Sequence, residues 1–389
     1  MSNFGFIYPS QANKIKSPGF KSDNWRYINP NLVSKKIKQY KSIEKSVNVD
    51  NNKSGKYNIV ISDDSINLNK DLSDCVSIEI YRPEEISQIK NKLNSKIGRI
   101  ATNDDYLVYE NTKDFKQLIF INIKRNNKDK SRIHIDFNVS KNIELKTRFF
   151  IHSECKSQSS IDINFEGSNF LNNSVFEFYL DKDSDMELFI NSNDNDAISF
   201  LNYSFDMEEK SNLKATFLSL SNKIIKNDFI VNLLGRNSKV DVGGLYIGNQ
   251  ESITDYNINI NHLSDKTFSN QIFKGIMFEN SKASFTGKVK IEKDCNGSKS
   301  DQENRNILMS DKARVNSDPQ LEIDCNDVEC SHGSTIGQFD DSVIFYLKSR
   351  GVSERDAKKM LLDAFYNDIL DRFVNTEKII AKIKEKIND

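Results

Sequence analysis

The densest group of chemistry-bearing side chains in this chain is Cys325-Asn326-Asp327-Val328-Glu329-Cys330-Ser331-His332-Gly333. A sulfur and an imidazole two residues apart, Cys330 and His332, suit a soft or borderline metal such as iron or zinc. The spacing Cys-x4-Cys-x-His matches no structural zinc pattern, and a fourth nearby ligand is absent from the sequence. The competing reading packs the cysteines as small apolar groups and hydrogen-bonds the histidine at the end of a sheet. The chain has four histidines. His134 and His152 stand in alternating apolar-polar stretches, where satisfied polar residues on a strand face are expected. No nucleophile-base-acid spacing and no phosphate-binding G-x-x-x-x-G-K-[ST] loop occurs. Gly243-Gly244 followed by Gly248 lacks the third glycine and the following helix of a dinucleotide fingerprint. No pair of carboxylates stands out among the many acids.

Charge and cysteine usage narrow the setting. The 389 residues carry 55 Lys+Arg against 56 Asp+Glu, a formal net charge of −1, so neither nucleic acid nor an anionic membrane is indicated as the main partner. No run approaches the ~18–20 apolar residues of a membrane span. Five cysteines without regular spacing (Cys75, Cys155, Cys295, Cys325, Cys330) point to reduced thiols in a cytoplasm rather than to a disulfide framework. Aromatic residues make up 10% of the chain, including 25 Phe, enough to build a sizeable core.

Three regions must position these residues. In 1–100 the composition is mixed. Trp25 sits in Asp23-Asn24-Trp25-Arg26-Tyr27, Lys35 to Lys53 reads as a solvated charged stretch, and Tyr57–Ile61 and Val76–Ile80 read as short strands. Pro83-Glu84-Glu85 opens an amphipathic helix through Ile86, Ile89, Leu93 and Ile97, stopped by Gly98. From 101 to 339 strand follows strand: Ile133, Ile135, Phe137 and Val139 alternate with polar residues, as do Ile161–Phe165 and Phe200–Phe205. A sandwich of this length would be unusually large, and a propeller should show a signature near every ~40 residues. Stacked rungs of a β-helix tolerate divergent repeats, and the pattern alone favours that fold modestly. From 340 to 389 the chain is helical. Asp340 and Asp341 precede a first helix closed by Gly351, Ser353 with Asp356 caps a second, and a basic third runs over about Thr376–Ile387.

At this point specific motifs take over. Asn304-Arg305-Asn306-Ile307-Leu308-Met309-Ser310-Asp311-Lys312-Ala313, then Asp318-Pro319-Gln320-Leu321-Glu322-Ile323, then Val328-Glu329-Cys330-Ser331-His332-Gly333-Ser334-Thr335-Ile336-Gly337-Gln338 and Phe345-Tyr346-Leu347-Lys348-Ser349-Arg350-Gly351, closely resemble the motif run of the SufB/SufD family of iron–sulfur cluster assembly proteins. Gly244-Leu245-Tyr246, Phe273-Lys274-Gly275 and Asn24-Trp25-Arg26-Tyr27 fit the same family. Gly333, where B-type members carry Glu, and Ala313, where they carry Cys, place the resemblance on the D branch. Tyr256 stands where D-type members commonly have His, so no role for that imidazole carries over, whereas His262 falls where the family often has one.

The resemblance implies a mainly β fold: a right-handed parallel β-helix core (101–339) between a small N-terminal α/β domain (1–100) and a C-terminal helical domain (340–389). It implies a non-catalytic D-type subunit of the SUF assembly complex that pairs with SufB through the β-helices and docks the SufC ATPase on the C-terminal domain. His332 is the position it implicates as a cluster or iron ligand at the SufB interface, with Cys330 the weaker candidate. No tightly bound cofactor is implied, only a transient cluster or iron at that interface. Phe345, Tyr346, Leu361, Leu362 and Phe365 could pack the helical domain or face the ATPase; packing is the expectation for most. The other readings are a homodimeric β-helix binding or structural protein in which Cys330 and His332 merely pack, and, less favoured, a carbohydrate-active enzyme.

Overall fold

The computed structural model describes residues 28, 40, 45–51, 57–70, 75–89, 96–101, 105–126, 130–220, 223–373 and 376–388. Strands alternate between two sheets along the chain, so the molecule is a β-solenoid. One sheet has 11 strands and ends in Phe268–Met277, Ser298–Leu308 and Val328–Gly337; the other has 10 and ends in Ile253–His262, Lys282–Ile291 and Arg314–Ile323. From Ser131 onward every pairing is parallel and in register, from Ser131↔Ser159 to Ser298↔Val328. Strands Tyr57–Ile61 and Ser65–Lys70 join the first sheet, and Val76–Tyr81 joins the second antiparallel to Leu118–Ile123.

The repeat hides in the corners. The hydroxyls of Ser184, Ser211, Ser238 and Thr267 each donate to the carbonyl three residues back, on Asp181, Glu208, Gly235 and Ser264. The residue before each hydroxyl, Asp183, Lys210, Asn237 and Lys266, has a left-handed φ of 55–60°. A left-handed non-glycine residue costs about 1–2 kcal/mol, offset here by the hydroxyl bond and by ladder bonds that start immediately after the corner. Pairs such as Ile198↔Ile224 and Lys282↔Arg314 mark a repeat of 26 to 32 residues.

Inside the solenoid, inward residues stack rung on rung. Phe137 lies 4.5 Å from Phe165, Phe149 4.6 Å from Phe176, and Phe178 4.3 Å from Phe205. One continuous core runs from Tyr57 to Cys325. Each fully buried Phe contributes roughly 1.5–3 kcal/mol over leaving it in water.

Both sheets are also covered from outside. Helix α1, Tyr106–Asp114, is capped by the Asp105 carboxylate, which accepts from the Leu107 and Val108 N–H groups. Its Leu107 packs on Leu171, Ile198 and Phe200 of the 10-stranded sheet. This helix interrupts the stretch read above as strand only. Leu171–Leu180 is consequently buried at every position, on both faces, and shows no alternation. The C-terminal helices α2 (Asp341–Ser349), α3 (Glu354–Leu370) and α4 (Thr376–Asn388) follow the last strand. Leu362, Tyr366, Ile369, Leu370 and Ile383 seat this region on Leu218, Leu245, Ile247 and Ile276 of the 11-stranded sheet.

Three local expectations change. Pro83–Gln88 is a 3-10 helix that ends at Ile89, with Leu93 outside the described residues. Lys35 to Lys53 includes the edge strand Ser46–Asn51, which pairs with Ser65–Lys70; most of the rest of that stretch lies outside the described residues. Trp25 and its neighbours also lie outside them.

Candidate metal centre at the solenoid edge

Val328–Gly337 is the outermost strand of its sheet, and Arg314–Ile323 is the outermost strand of the other. Their outer edges carry no further strand among the described residues. His332 pairs in register with Gln302, and Cys330 with Ser300. Val328 and Cys330 pack against the solenoid core. Successive strand residues alternate in direction, so His332 belongs to the same inward face, two residues further on. It is exposed because no later rung covers it. On the opposite face Ser331 donates to the Asp301 carboxylate and Glu329 pairs with Lys299 at 2.7 Å.

The neighbourhood of His332 is polar and under-satisfied. Gln271 and Gln302, one rung apart, are buried, and both atoms of each side-chain amide lack a partner. The ladder Gln271–Gln302–His332 thus presents hydrogen-bonding groups that nothing among the described residues saturates. On the outer face of the same strands a depression of about 310 Å³ is lined by Asn270, Asp301, Glu303 and Ser331 and reaches His332. Cys330 is half-buried, and burial pushes its thiol above the usual range, so it is less ready to ionise than a free cysteine. Among the described residues, no three or more His, Cys, Asp or Glu side chains gather to hold a metal. The structure therefore brings Cys330 and His332 to one edge without completing a metal centre there.

The other histidines are occupied. His134 lies 3.0 Å from Asp162. His152 bonds Asn122 at 2.6 Å and Asp181 at 2.9 Å. His262 is fully buried with Nδ1 2.7 Å from the Thr267 hydroxyl and Nε2 2.9 Å from that of Ser269, and burial lowers its pKa to about 4. Tyr256 is buried in the solenoid with its hydroxyl on Ser219 at 2.6 Å.

Several motif residues build the seat of the helices. The Tyr246 hydroxyl bonds Asn306, whose amide donates to Asn304 at 2.7 Å. A Cβ on Gly275 would run into the Tyr246 ring and Asn306, so the glycine makes room for this buried knot. Lys274 reaches out to the Phe365 carbonyl at 2.7 Å and to Asp368. Arg372 grips Asp241 at 2.9 and 3.0 Å. A Cβ on Gly243 would sit 3.0 Å from Arg372 Nε and 2.5 Å from the Ile272 carbonyl oxygen. The Gly243-Gly244 pair is thus a packing device rather than a nucleotide loop. Sequence reasoning had missed Lys274, Asp241 and Arg372; ion pairs that join residues more than 90 positions apart leave no local signal.

In α2 and α3 the expected packing holds for Leu362, which is buried, and for Phe365, which packs against the same cluster. It fails for Phe345, 73% exposed, and Tyr346, 56% exposed, because the helix buries only Ile344 on its inward side. Val343 of α2 and Met360 of α3 are exposed to solvent as well.

The comparisons decide what kind of solenoid this is. Residues 137–365 match the family model described as SUF system FeS cluster assembly, SufBD core domain. The chain belongs to the SufB/SufD family. Among its relatives, an iron–sulfur cluster assembly SufBD family protein of Synechocystis is 33% identical over 206 residues, 52% of this chain and 45% of that one. The iron–sulfur cluster assembly protein SufD of Escherichia coli is 29% identical over 183 residues, 46% of this chain and 43% of that one. A SufBD family protein of Mycobacterium leprae is 26% identical over 186 residues, 45% of this chain and 47% of that one. The chain spans less than half the length of each of these relatives. The SufBD core match begins inside the solenoid and ends in α3, so edge strand, candidate ligands and exposed aromatics all fall within it. Among the described residues no helix is long and apolar enough to cross a membrane.

Proposed function

We propose that this chain is a SufD-type, non-catalytic subunit of a cytoplasmic iron–sulfur cluster assembly scaffold. It pairs with a SufB-type subunit through its last rung and carries a SufC-type ATPase on its C-terminal helices. The observation that carries the reading is the incompleteness of the edge: His332 is solvent-exposed on a strand whose outer edge is open, beside Gln271 and Gln302 amides without partners, and among the described residues too few ligands gather to hold iron. A second chain laid against strands Val328–Gly337 and Arg314–Ile323 would satisfy the open backbone groups and could supply the missing ligands. In that arrangement His332 gives one nitrogen ligand to a nascent cluster, which is cargo passing through the site. Cys330, half-buried and held as a thiol, is the weaker donor. ATP hydrolysis belongs to the partner.

The exposed side chains of Val343, Phe345, Tyr346 and Met360 support the second contact. Aromatic side chains on a helix of which one residue is buried suit an interface anchor better than a free surface. A homodimeric binding protein would use the same edges but would leave the unsaturated ladder at His332 without purpose. Anaerobic co-expression with SufB and SufC subunits tests the reading. The expected result is a stable complex in which His332→Ala lowers cluster formation while leaving assembly intact. Failure to associate, or unchanged cluster formation in that variant, would remove the proposal or its ligand.

A further inference from the structure

The corners before the last two strands of the 11-stranded sheet repeat a short sequence, Asp294-Cys295-Asn296 and Asp324-Cys325-Asn326. Lys299↔Glu329 fixes the register of the strands that follow, and the Gly297 N–H donates to the Asp327 carbonyl at 2.7 Å. Counting back four residues from that pair puts Cys295 and Cys325 at equivalent positions on adjacent rungs. Both face the solenoid core, at 1% and 9% exposure. The Cys295 thiol donates to the His262 carbonyl at 3.3 Å, and the Cys325 thiol to Asn296 Oδ1 at 3.3 Å. Burial, and secondarily the proximity of Cys325, push the Cys295 thiol above its usual pKa.

Magnitudes separate the uses of such a pair. Neighbouring rungs lie about 4.8 Å apart, the spacing expected between residues at equivalent positions. A disulfide accepts Cα atoms about 4.4–6.8 Å apart, so this spacing would permit one under oxidising conditions, but both thiols are free here. Tetrahedral zinc needs four ligands, and no group of three or more is gathered among the described residues. His262 cannot serve, since both ring nitrogens are engaged. Two collinear metal–sulfur bonds of about 2.3 Å each span about 4.6 Å, close to the rung spacing. Soft thiolates select copper(I) over harder ions.

We propose that Cys295 and Cys325 form a two-coordinate site for one soft monovalent cation of the copper(I) class. Binding replaces two S–H bonds by two metal–sulfur bonds and releases two protons to solvent, with no change of oxidation state. Cys325, the more accessible sulfur, is the entry ligand. The occupied site staples the last two rungs on the side from which the strand carrying Cys330 and His332 emerges.

The test is anaerobic titration of the purified chain with copper(I) against a chromophoric copper(I) chelator, alone and in Cys295→Ser, Cys325→Ser and Cys155→Ser variants, Cys155 being a free, exposed cysteine. The expected result is one tightly bound ion per chain, an affinity lower by on the order of 100-fold in either of the first two variants, and no change in the third. Circular dichroism confirms that each variant is folded; where a serine variant is not, the alanine variant replaces it. Unchanged binding in both Cys295→Ser and Cys325→Ser, loss of binding in Cys155→Ser, or absence of a tight site would overturn the proposal.

Discussion

At the scale of single residues, the solenoid separates side chains that do chemistry from side chains that hold rungs together. His332 is the former: it is exposed and contributes little to packing. Replacing it by alanine should shift stability by no more than about 0.5 kcal/mol. Its effect should be confined to cluster formation in the assembled complex, read by visible absorbance of the cluster. His262 is the latter. Its folded-state pKa, about 4, lies below the ordinary value of 6.5. Between those values the unfolded chain binds the proton and the folded chain does not, so stability falls as pH drops through that window. From pH 7 to pH 5 the loss assigned to this group is about 2 kcal/mol. Urea unfolding at the two pH values measures it, and His262→Gln should remove that share of the difference. The buried pair Arg148–Glu177 is a third case. Both side chains are fully buried and 3.0 Å apart, and Glu177 also accepts the Gly98 and Ala101 N–H groups. Arg148→Met leaves that carboxylate unpaired and should cost about 3–5 kcal/mol, seen as a lowered denaturation midpoint.

At the scale of elements, the helices are attached by a few polar anchors laid over an apolar seat. Arg372 to Asp241 and Lys274 to Asp368 tie the end of α3 to the sheet, and Gly243 leaves space for the guanidinium. Arg372→Ala, and by steric conflict Gly243→Ala, should loosen the helices before the solenoid. Limited proteolysis should then release fragments cut after about residue 340 while the strand core stays protected. The exposed face of α2 behaves differently. Phe345→Ser should leave the melting temperature within a degree or two of the unmodified chain, since the ring packs on little. If that face holds the ATPase, the variant should weaken the contact by about 30-fold or more, the effect of losing an interface anchor. A thermal scan followed by circular dichroism reads the first quantity, and titration calorimetry with the isolated ATPase subunit reads the second.

At the scale of the whole molecule, much of the architecture was legible because half-buried strands alternate, as Ile133 to Val139 do, and because helix caps are local, as Asp340, Ser353 and Gly351 show. What was not legible has physical reasons. Leu171–Leu180 is covered on both faces and loses its alternation. The 26-to-32-residue repeat resides in corner hydroxyls such as Ser184, Ser211 and Ser238, whose flanking residues diverge freely. Helix α1 is short and half polar, and its clearest signal was the capping Asp105. For the site, the motif around Cys330 and His332 named the right edge, but only the register showed that the two share an inward face. Nothing local announced that Phe345 and Tyr346 stand in solvent, because helical spacing looks the same whether a face meets a core or a partner.

The central claim is that the last rung is an unfinished interface completed by a different chain. The most direct measurement is the mass and composition of the complex this chain forms with a SufB-type subunit, by light scattering after size-exclusion chromatography, before and after Ser334→Pro in the edge strand. A one-to-one heterodimer is expected, which the proline abolishes by removing an N–H from the open edge. A heterodimer indifferent to the proline, or a chain that forms only copies of itself in the presence of the SufB-type subunit, would contradict it.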